Sequence, residues 1–386
     1  MRTAAKKLVT VLIIGAMPVV AQQSGRAERQ SKIYQEHGSW VEVVTGSLSA
    51  SPAMTVKVRN VNVTVQGGNH REITYTLKKW AHAITEAAAR RELRRYRFAA
   101  TTSGGTALIR AGAIGEPRNR MASELTMQVP RSIGVVKLIT RGGNDVVTGI
   151  GGDVDVIAGG GNLRLDDIGG DVVASTMGGN VEVGTTEGNL TLKTAGGSVK
   201  INAVKGQIVT HSGGGNIDIG SGAQGVVAHT AGGAIEVKHC GGELKAHTGG
   251  GNIRLTSASG PVVANTTGGT IELYGLSRGA QVRSGGGRIV AEFLANNGSG
   301  ESSLQTPAGD IIVYLAPGLK ATIRATIDLA NGRRIRSDFP QIKVSSEGGQ
   351  YGPKALYAEG NLNGGGPPLQ VRTSNGDIEF RRAKSR

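Results

Sequence analysis

Three histidines with a fixed spacing are the residues of this chain whose side chains could share one chemistry. His211, His229 and His247 are 18 positions apart and would stack on successive turns of a repeating structure. Imidazole nitrogens bind divalent metals, so a metal site formed by converging rings is one interpretation of this candidate ladder. We favour the alternative, an exposed and partly protonated ladder, because no column of carboxylates clearly adjoins it. The sequence therefore predicts no cofactor.

Three further motifs resemble catalytic or binding patterns, but the residues around each favour a structural role. Asp166-Asp167 is a tight acidic pair, whereas a glycosidase needs two carboxylates about 5–10 Å apart, and adjacent residues in a bend usually diverge. The segment Gly-Ser-Gly-Ala-Gln-Gly at 220–225 has dinucleotide-binding spacing, but a strand pattern follows it instead of a helix. Cys240, the single cysteine, ends a strand pattern and is expected to pack as a small apolar residue. No catalytic residue is assigned, so we expect a protein that is not an enzyme.

An 18-residue repeat positions these residues, and it is visible first in the glycines. Gly-Gly pairs recur at one constant step, at 142–143, 160–161, 178–179, 196–197, 214–215, 232–233, 250–251, 268–269 and 286–287. Apolar residues keep the same period and alternate with polar ones, as in β-strands. One column contains Leu163, Val181, Val199, Ile217, Ile235, Ile253, Ile271 and Ile289, and another, half a repeat away, contains Val172, Leu190, Ile208, Val226, Leu244 and Val262.

Each 18-residue coil is therefore predicted to hold two short strands joined by turns. One coil cannot bury its own apolar face, but stacked coils pair strand on strand at about 4.8 Å and share a continuous core. The sequence thus predicts an all-β protein, a single-chain β-solenoid (β-helix-like) with one N-terminal helix that caps or flanks it. Glycine suits the tight corners, and a Thr/Ser column two residues before each glycine pair can hydrogen-bond from coil to coil.

The residues that point away from the core differ between the two strands of a coil. Beside one strand they are charged with mixed signs, which is typical of a solvated face: Arg164, Glu182, Lys200, Asp218, Glu236, Arg254 and Glu272. Beside the other strand stands a column with an excess of apolar residues, Val173, Val209, Val227 and Val263, together with Thr191 and Lys245. This column predicts that its face is partly covered by another segment or another chain, so self-association is one expected interaction.

The two ends of the chain depart from the repeat and define the domain boundaries. Arg2, Lys6 and Lys7 precede a short apolar stretch and a small-residue cleavage site, so residues 1–21 are predicted to be a signal peptide. We therefore expect an exported protein, periplasmic, on the outer surface or secreted. The expected divisions that follow are a linker or disordered lead-in (22–50), N-terminal strands plus a basic helix (51–135), the regular β-solenoid (136–295) and irregular C-terminal coils with a cap (296–386). Within the last, 369–380 repeats the coil pattern and is predicted to be a terminal rung.

A basic segment from Lys78 to Arg97 is predicted to be the helix, with Trp80 and Ile84 on its apolar face. Its candidate basic surface consists of Arg90, Arg91, Arg94 and Arg95. Packing across the N-terminal end is the structural interpretation, and binding to an anionic surface is the functional one. The formal net charge is +15. Outside a cell, the acidic partners for such a chain are anionic polysaccharides, lipids or an envelope surface, and not nucleic acid.

The chain also resembles a known bacterial group over roughly residues 50–380. The features are the strand–helix opening, Met-Gln-Val-Pro at 127–130, the repeated Gly-Gly units, and the closing segments 364–366 and 373–377. In combination they resemble the bacterial putative-adhesin family of unknown function with β-strand repeats. The resemblance implies export and a β-solenoid, and it brings no catalytic residues.

The function expected from these observations is that of an exported, non-catalytic adhesin or cell-envelope binding protein. Its repetitive face would contact a polymeric or surface partner through many weak contacts. Two alternatives stay open: a β-helix carbohydrate-active enzyme (polysaccharide lyase or hydrolase), which requires a groove of clustered carboxylates and basic residues, and a self-assembling envelope scaffold, which requires an uncapped end or an adhesive Val column.

Overall fold

The computed structural model describes residues 29–113, 121–295, 300–349 and 354–383. The predicted signal peptide, 1–21, lies outside these ranges. Within them, no helix has the length and apolar character needed to cross a bilayer.

The N-terminal part contains eight strands and one short helix. These are β1 Arg29–Glu36, β2 Ser39–Ser49, β3 Ala53–Val58, β4 Asn62–Gly68, β5 Glu72–Ala81, α1 Glu86–Leu93, β6 Tyr96–Ser103, β7 Thr106–Ala113 and β8 Met121–Pro130. Residues 29–49, placed by the sequence analysis in a linker, instead form the antiparallel β1–β2 hairpin. The linker prediction is therefore wrong for this stretch. Val41, Val44 and Leu48 form a buried apolar face there, although the 18-residue repeat does not extend to them.

The central part is a run of strands of five or six residues, two per coil. They are β9 Val135–Thr140, β10 Asp145–Ile150, β11 Asp153–Ala158, β12 Leu163–Ile168, β13 Val172–Thr176, β14 Val181–Thr186, β15 Leu190–Thr194, β16 Val199–Val204, β17 Gln207–Ser212, β18 Ile217–Gly222, β19 Gly225–Thr230, β20 Ile235–Cys240, β21 Glu243–Thr248, β22 Ile253–Ala258, β23 Val262–Thr266, β24 Ile271–Leu276, β25 Ala280–Ser284, β26 Ile289–Phe293, β27 Ser302–Thr306 and β28 Ile311–Leu315. The C-terminal part adds β29 Ala321–Ile327, β30 Ile335–Ser337, β31 Lys343–Glu347, β32 Ala355–Leu362, β33 Pro368–Thr373 and β34 Ile378–Arg382.

Two long sheets result, and the protein is a β-solenoid as predicted. From β9 to β28, the odd-numbered strands pair with one another in parallel to form sheet A, and the even-numbered strands form sheet B. Residues one repeat apart lie side by side, as at Ile217, Ile235 and Ile253. The inward side chains of both sheets form one continuous buried cluster that runs the length of the described chain.

The corner at each glycine pair is held by a repeated hydrogen-bond pattern. Thr230 Oγ1 donates to the Gly215 carbonyl oxygen at 2.8 Å and accepts from the Gly233 N–H at 3.3 Å. The same two bonds recur at Thr194, Ser212, Thr248, Thr266 and Ser284. The second glycine of each pair also faces the previous coil: a Cβ on Gly215 would lie 2.2 Å from the Gly197 oxygen. Close backbone stacking therefore requires glycine at this position.

At both ends the order of the rungs in space differs from their order in the chain. The β3–β4 coil lies between β7–β8 on one side and β9–β10 on the other. At the other end, β33–β34 lies between β27–β28 and β29–β30. Residues 369–380 are thus a rung inserted between two others, and the prediction that they form the terminal rung is wrong. Their pattern specifies which face is buried but not which strands flank them. Antiparallel strands then cover the ends: β5, β2 and β1 in succession beyond β8, β6 beyond β7, and β32 with β31 beyond β29.

The helix is shorter than predicted and packs beside the N-terminal strands. Residues 78–81 belong to β5, where Trp80 pairs with Val41, and α1 begins only after its N-cap Thr85. Ala89 and Leu93 pack against Ala81 beside the N-terminal strands, separately from the main core. The helix therefore flanks the solenoid, and Ile84, predicted to pack, is fully exposed.

Candidate functional site

The outer face of sheet A presents two parallel columns of repeated side chains, and it is the candidate functional surface. The histidine ladder forms one column, because β17, β19 and β21 are in register and place His211, His229 and His247 on successive rungs. The first two rings have centroids 5.7 Å apart and are tilted by 46°. The second pair is 4.9 Å apart with the planes within 1° of parallel. The predicted stacking of imidazoles from rung to rung is therefore present.

Electrostatics within the ladder disfavour full protonation. The pKa of His229 is lowered from 6.5, first by burial and then by the charges of His247 and His211 on either side. The Nδ1 atom of His211 is buried and has no hydrogen-bond partner in the described structure. Lys193 precedes His211 in the same column, so a fixed cation adjoins the ladder at that end. The ladder thus accepts protons only at the cost of placing like charges about one strand spacing apart.

Metal binding by the ladder stays a sequence-based interpretation. Because the His229 and His247 rings are parallel, their nitrogen lone pairs run side by side and do not converge on one point. Among the residues that the structure describes, no group of three or more His, Cys, Asp or Glu side chains is arranged to hold a metal ion.

The Val column runs beside the ladder on the same face. Val173 is 52% exposed, and Val209, Val227 and Val263 are partly exposed. The principal neighbours of β17 and β19 are the adjacent strands of the stack and of the coil, so no described segment provides the predicted cover. Cover by another chain stays a prediction.

The predicted basic surface lies on α1 and its C-terminal end. All four arginines are exposed. Arg90 pairs with Glu86 at 2.6 Å and Arg95 lies 3.8 Å from Glu92, so part of the positive charge is neutralised within the helix. Arg91 and Arg94 have no ion-pair partner among the described residues and retain their charge for solvent or a partner.

Two of the remaining sequence motifs have structural roles. Asp167 has a left-handed backbone (φ 54°) and pairs with Arg131, which lowers the pKa of its carboxyl group. Asp166 accepts hydrogen bonds from the N–H groups of Asp167 and Thr185 at 2.9 and 3.0 Å. The glycines of 220–225 lie at the end of β18 and the start of β19, so no helix N-terminus adjoins them.

Cys240 is fully buried, and burial raises the pKa of its thiol, which donates to the Gly242 oxygen at 3.3 Å. It is therefore held as a packed thiol and not as an exposed thiolate.

The outer face of sheet B carries paired charges and a ladder of amides. Arg164 lies 2.9 Å from Glu182, and Arg254 lies 3.3 Å from Glu272, each pair joining adjacent coils. The Oδ1 atoms of Asn144 and Asn162 accept hydrogen bonds from backbone N–H groups one coil further on at 2.9 and 3.0 Å. A shallow hollow of about 470 Å³ lies over this region, and its lining carboxylates are the buried Asp145 and the paired Glu182.

Asp145 is a residue that the sequence analysis missed. It is 1% exposed and lies in the inward column, between Val63 and Leu163. Thr140 Oγ1 donates to its Oδ2 at 2.6 Å, but its Oδ1 has no partner. Burial raises the pKa of Asp145 to about 7, against the opposing effect of the Thr140 hydrogen bond. The sequence does carry a signal, because the position one repeat before Leu163 holds a carboxyl group in a column of apolar side chains.

Two solved structures are among those similar to this chain. No protein-family model matches the chain, and no curated protein matches it. A structure described as a putative cell adhesion protein from Clostridium sporogenes is 9% identical, with a TM-score of 0.16, and the match covers 93% of this chain and 100% of that one. A structure described as a putative adhesin from Bacteroides fragilis is 13% identical, with a TM-score of 0.27, and the match covers 88% of this chain and 97% of that one. The fold described above rests on the strand pairing of this chain itself.

Proposed function

We propose that this protein is an exported, non-catalytic β-solenoid of the adhesin or envelope-binding kind, and that the outer face of sheet A contacts a polymeric or surface partner. The observation that carries the proposal is the register of this face. The histidine ladder occupies three successive rungs, and the Val column beside it has valine at four of six successive rungs, with Thr191 and Lys245 at the other two. The side chains of both columns are exposed or partly exposed. A repeating partner could contact many equivalent sites, so that weak contacts add through multivalency.

A non-catalytic role is supported by what the acidic and basic side chains already do. In the described residues of the coils, Asp166 and Asp167 serve a turn, and Glu182 and Glu272 pair with arginines. A polysaccharide lyase or hydrolase would need carboxylates free to face a sugar in a groove. The signal-like segment 1–21 supports export.

A glycan and lipid binding array with the purified mature chain, run at two salt concentrations, tests the proposal. We expect saturable binding to at least one polymeric or surface probe without product formation. The variant Val209→Lys/Val227→Lys should lose this binding because it replaces the two adjacent valines of the column on sheet A with cations. The matched control Asp218→Asn/Glu236→Gln changes the net charge by the same amount on sheet B and should retain it. Turnover of any polysaccharide would refute the non-catalytic role.

Self-assembly through the Val column is a second candidate, favoured by the apolar side chains at the N-terminal part of the same face. Ile157 is 46% exposed and Met177 76% exposed, close to Val173. Sedimentation velocity over a hundredfold range of protein concentration tests this candidate. Reversible association that Val173→Lys abolishes would support it, and a monomer at all concentrations would exclude it.

A further inference from the structure

A concave basic surface lies at the N-terminal end of sheet A, away from the regular coils. Five cationic side chains line it, namely Lys57, Arg59, Arg97, Arg110 and Arg141, and we call it the basic trough. They come from β3, β6 and β7 and from the residues that follow β3 and β9. All five are exposed. The trough is thus formed by segments far apart in the chain, and the arginines of α1 are not among its lining residues.

Strand register places these cations in two adjacent rows across the sheet. In one row, Arg110 of β7 is directly opposite Lys57 of β3. In the other, Arg97 of β6 is opposite Gly112 of β7, and Arg59 follows on β3. Adjacent strands are about 4.8 Å apart, so the charges form a closely spaced array on a rigid support.

Small residues form the floor between the cations. Gly112 separates Arg97 from Arg59 in one row, and Ala99 lies opposite Arg110 in the other. A Cβ on Gly112 would lie 3.3 Å from the Arg59 Cβ, so any larger side chain there would occupy the floor. The trough is open to solvent, and its volume is about 800 Å³, enough for a few sugar units and not only for one ion.

The cations of the trough lack the acidic partners that several cations of the coils have. Within the coils, Arg164 pairs with Glu182, Arg254 with Glu272, and Lys137 with Asp155. By contrast, none of the five trough cations forms an ion pair with a described residue, and no carboxylate is among the described residues that line the trough. An anionic ligand would relieve the repulsion among five like charges held close together.

We propose that the basic trough binds an acidic oligosaccharide segment, a chain whose sugars carry carboxylate or sulfate groups. The assignment rests on the proposed binding role and adds to it a specific site and ligand class. A chain of successive anionic groups fits a concave array of cations, whereas a planar lipid headgroup surface would contact only its rim. Single-stranded nucleic acid is disfavoured, because Phe98, the aromatic residue of the lining, packs its ring 5.1 Å from Tyr75 and is not free to stack on a base.

Binding of the mature chain to polygalacturonate and heparin oligosaccharides, measured by calorimetry at several salt concentrations, tests the proposal. Neutral dextran, phosphatidylglycerol vesicles and oligo-dT serve as the other arms. The variant Arg59→Glu/Arg110→Glu should bind the acidic glycans roughly tenfold or more weakly, with a log–log salt slope reduced by about one per lost cation. Lys238→Glu/Arg278→Glu makes the same change in net charge at exposed positions of the regular coils, several strand spacings from the trough. It should bind within about twofold of wild type, by the usual small effect of remote surface charges.

Gly112→Thr provides a second variant that leaves the charge unchanged. It should weaken binding by filling the floor, with the salt slope preserved, and it keeps the test decisive if the double reversal unfolds the chain. Equal weakening by the trough variant and the coil control would show binding to net charge alone and overturn the proposal. So would the absence of binding to both acidic glycans, or trough-dependent binding to vesicles or oligo-dT instead. If the array shows binding that the trough variants leave unchanged, the proposed function stands and the trough assignment fails.

Discussion

His229 stacks on His247 with the ring centroids 4.9 Å apart and the planes 1° from parallel. Two imidazolium ions at this distance repel each other, and burial and both neighbouring histidines lower the pKa of His229 from 6.5. In the unfolded chain this coupling is lost, so the unfolded state binds more protons. The contribution of His229 to stability is therefore complete above its unfolded pKa and is lost as the pH falls through its folded pKa.

We predict that nuclear magnetic resonance titration gives His229 a pKa below 6.5, and that His247→Gln raises it, because one neighbouring charge is removed. The triple variant His211→Gln/His229→Gln/His247→Gln should lose less thermal stability than wild type between pH 7 and pH 5. An unchanged His229 pKa in His247→Gln would contradict the coupling.

Asp145 should make the N-terminal coils less stable as the pH rises. Its folded pKa, about 7, lies above the ordinary value of 3.8, so its favourable contribution is present below pH 4 and is lost as the pH rises toward 7. The difference corresponds to on the order of 4 kcal/mol at full ionisation. Asp145→Asn keeps an acceptor for Thr140 and removes the charge. Denaturant unfolding should show a variant that matches wild type near pH 4 and is more stable at pH 8. A pH-independent difference between the two would exclude ionisation as the cause.

The two glycines of one corner should respond differently to the same substitution. A Cβ on Gly215 would meet the Gly197 oxygen at 2.2 Å, whereas a Cβ on Gly214 has no atom within 4 Å. Gly215→Ala should therefore force the coils apart and cost more than about 2 kcal/mol, and Gly214→Ala should be neutral or stabilise by up to about 1 kcal/mol. Thermal unfolding of the pair measures this. Equal melting temperatures would mean that the corner can relax around a methyl group.

The regular coils could be predicted because each residue there has neighbours of the same kind one repeat away. For Ile217, Ile235 and Ile253, the repeat thus predicts both that their side chains are buried and that they pair with one another. The rungs at the ends differ. Residues 369–373 have the pattern of a coil strand, but no feature of that pattern reveals that β27 and β29 flank them.

The same limit explains the two sites that the sequence analysis did not find. Lys57, Arg97 and Arg141 are far apart in the chain, and only the register of β3, β6, β7 and β9 brings them to one trough. The 18-residue period does place Asp145 in a column of apolar residues. Its burial, however, also depends on β4, which comes from a distant part of the chain and pairs Val63 with Asp145. The 18-residue period therefore does not predict which strands pair outside the repeat.

A matched pair of buried threonines tests how a buried hydroxyl group with or without a hydrogen-bond partner changes the free energy of unfolding. Thr210 and Thr230 are both fully buried, but Thr210 Oγ1 has no hydrogen-bond partner among the described residues, whereas Thr230 Oγ1 donates to the Gly215 oxygen at 2.8 Å. Thr210 stands in the inward column between Leu192 and Ala228. Thr210→Val replaces an unsatisfied polar atom with a methyl group of similar volume, and we expect stabilisation of about 1 kcal/mol.

Thr230→Val should destabilise the chain by about 1–3 kcal/mol, because it leaves the Gly215 carbonyl and the Gly233 N–H at the corner without this partner. Chemical denaturation of the two variants at one pH gives both free energies of unfolding. Destabilisation by Thr210→Val comparable to that of Thr230→Val would show that the Thr210 hydroxyl is satisfied, for instance by a buried water, and that the inward column is less dry than its apolar neighbours imply.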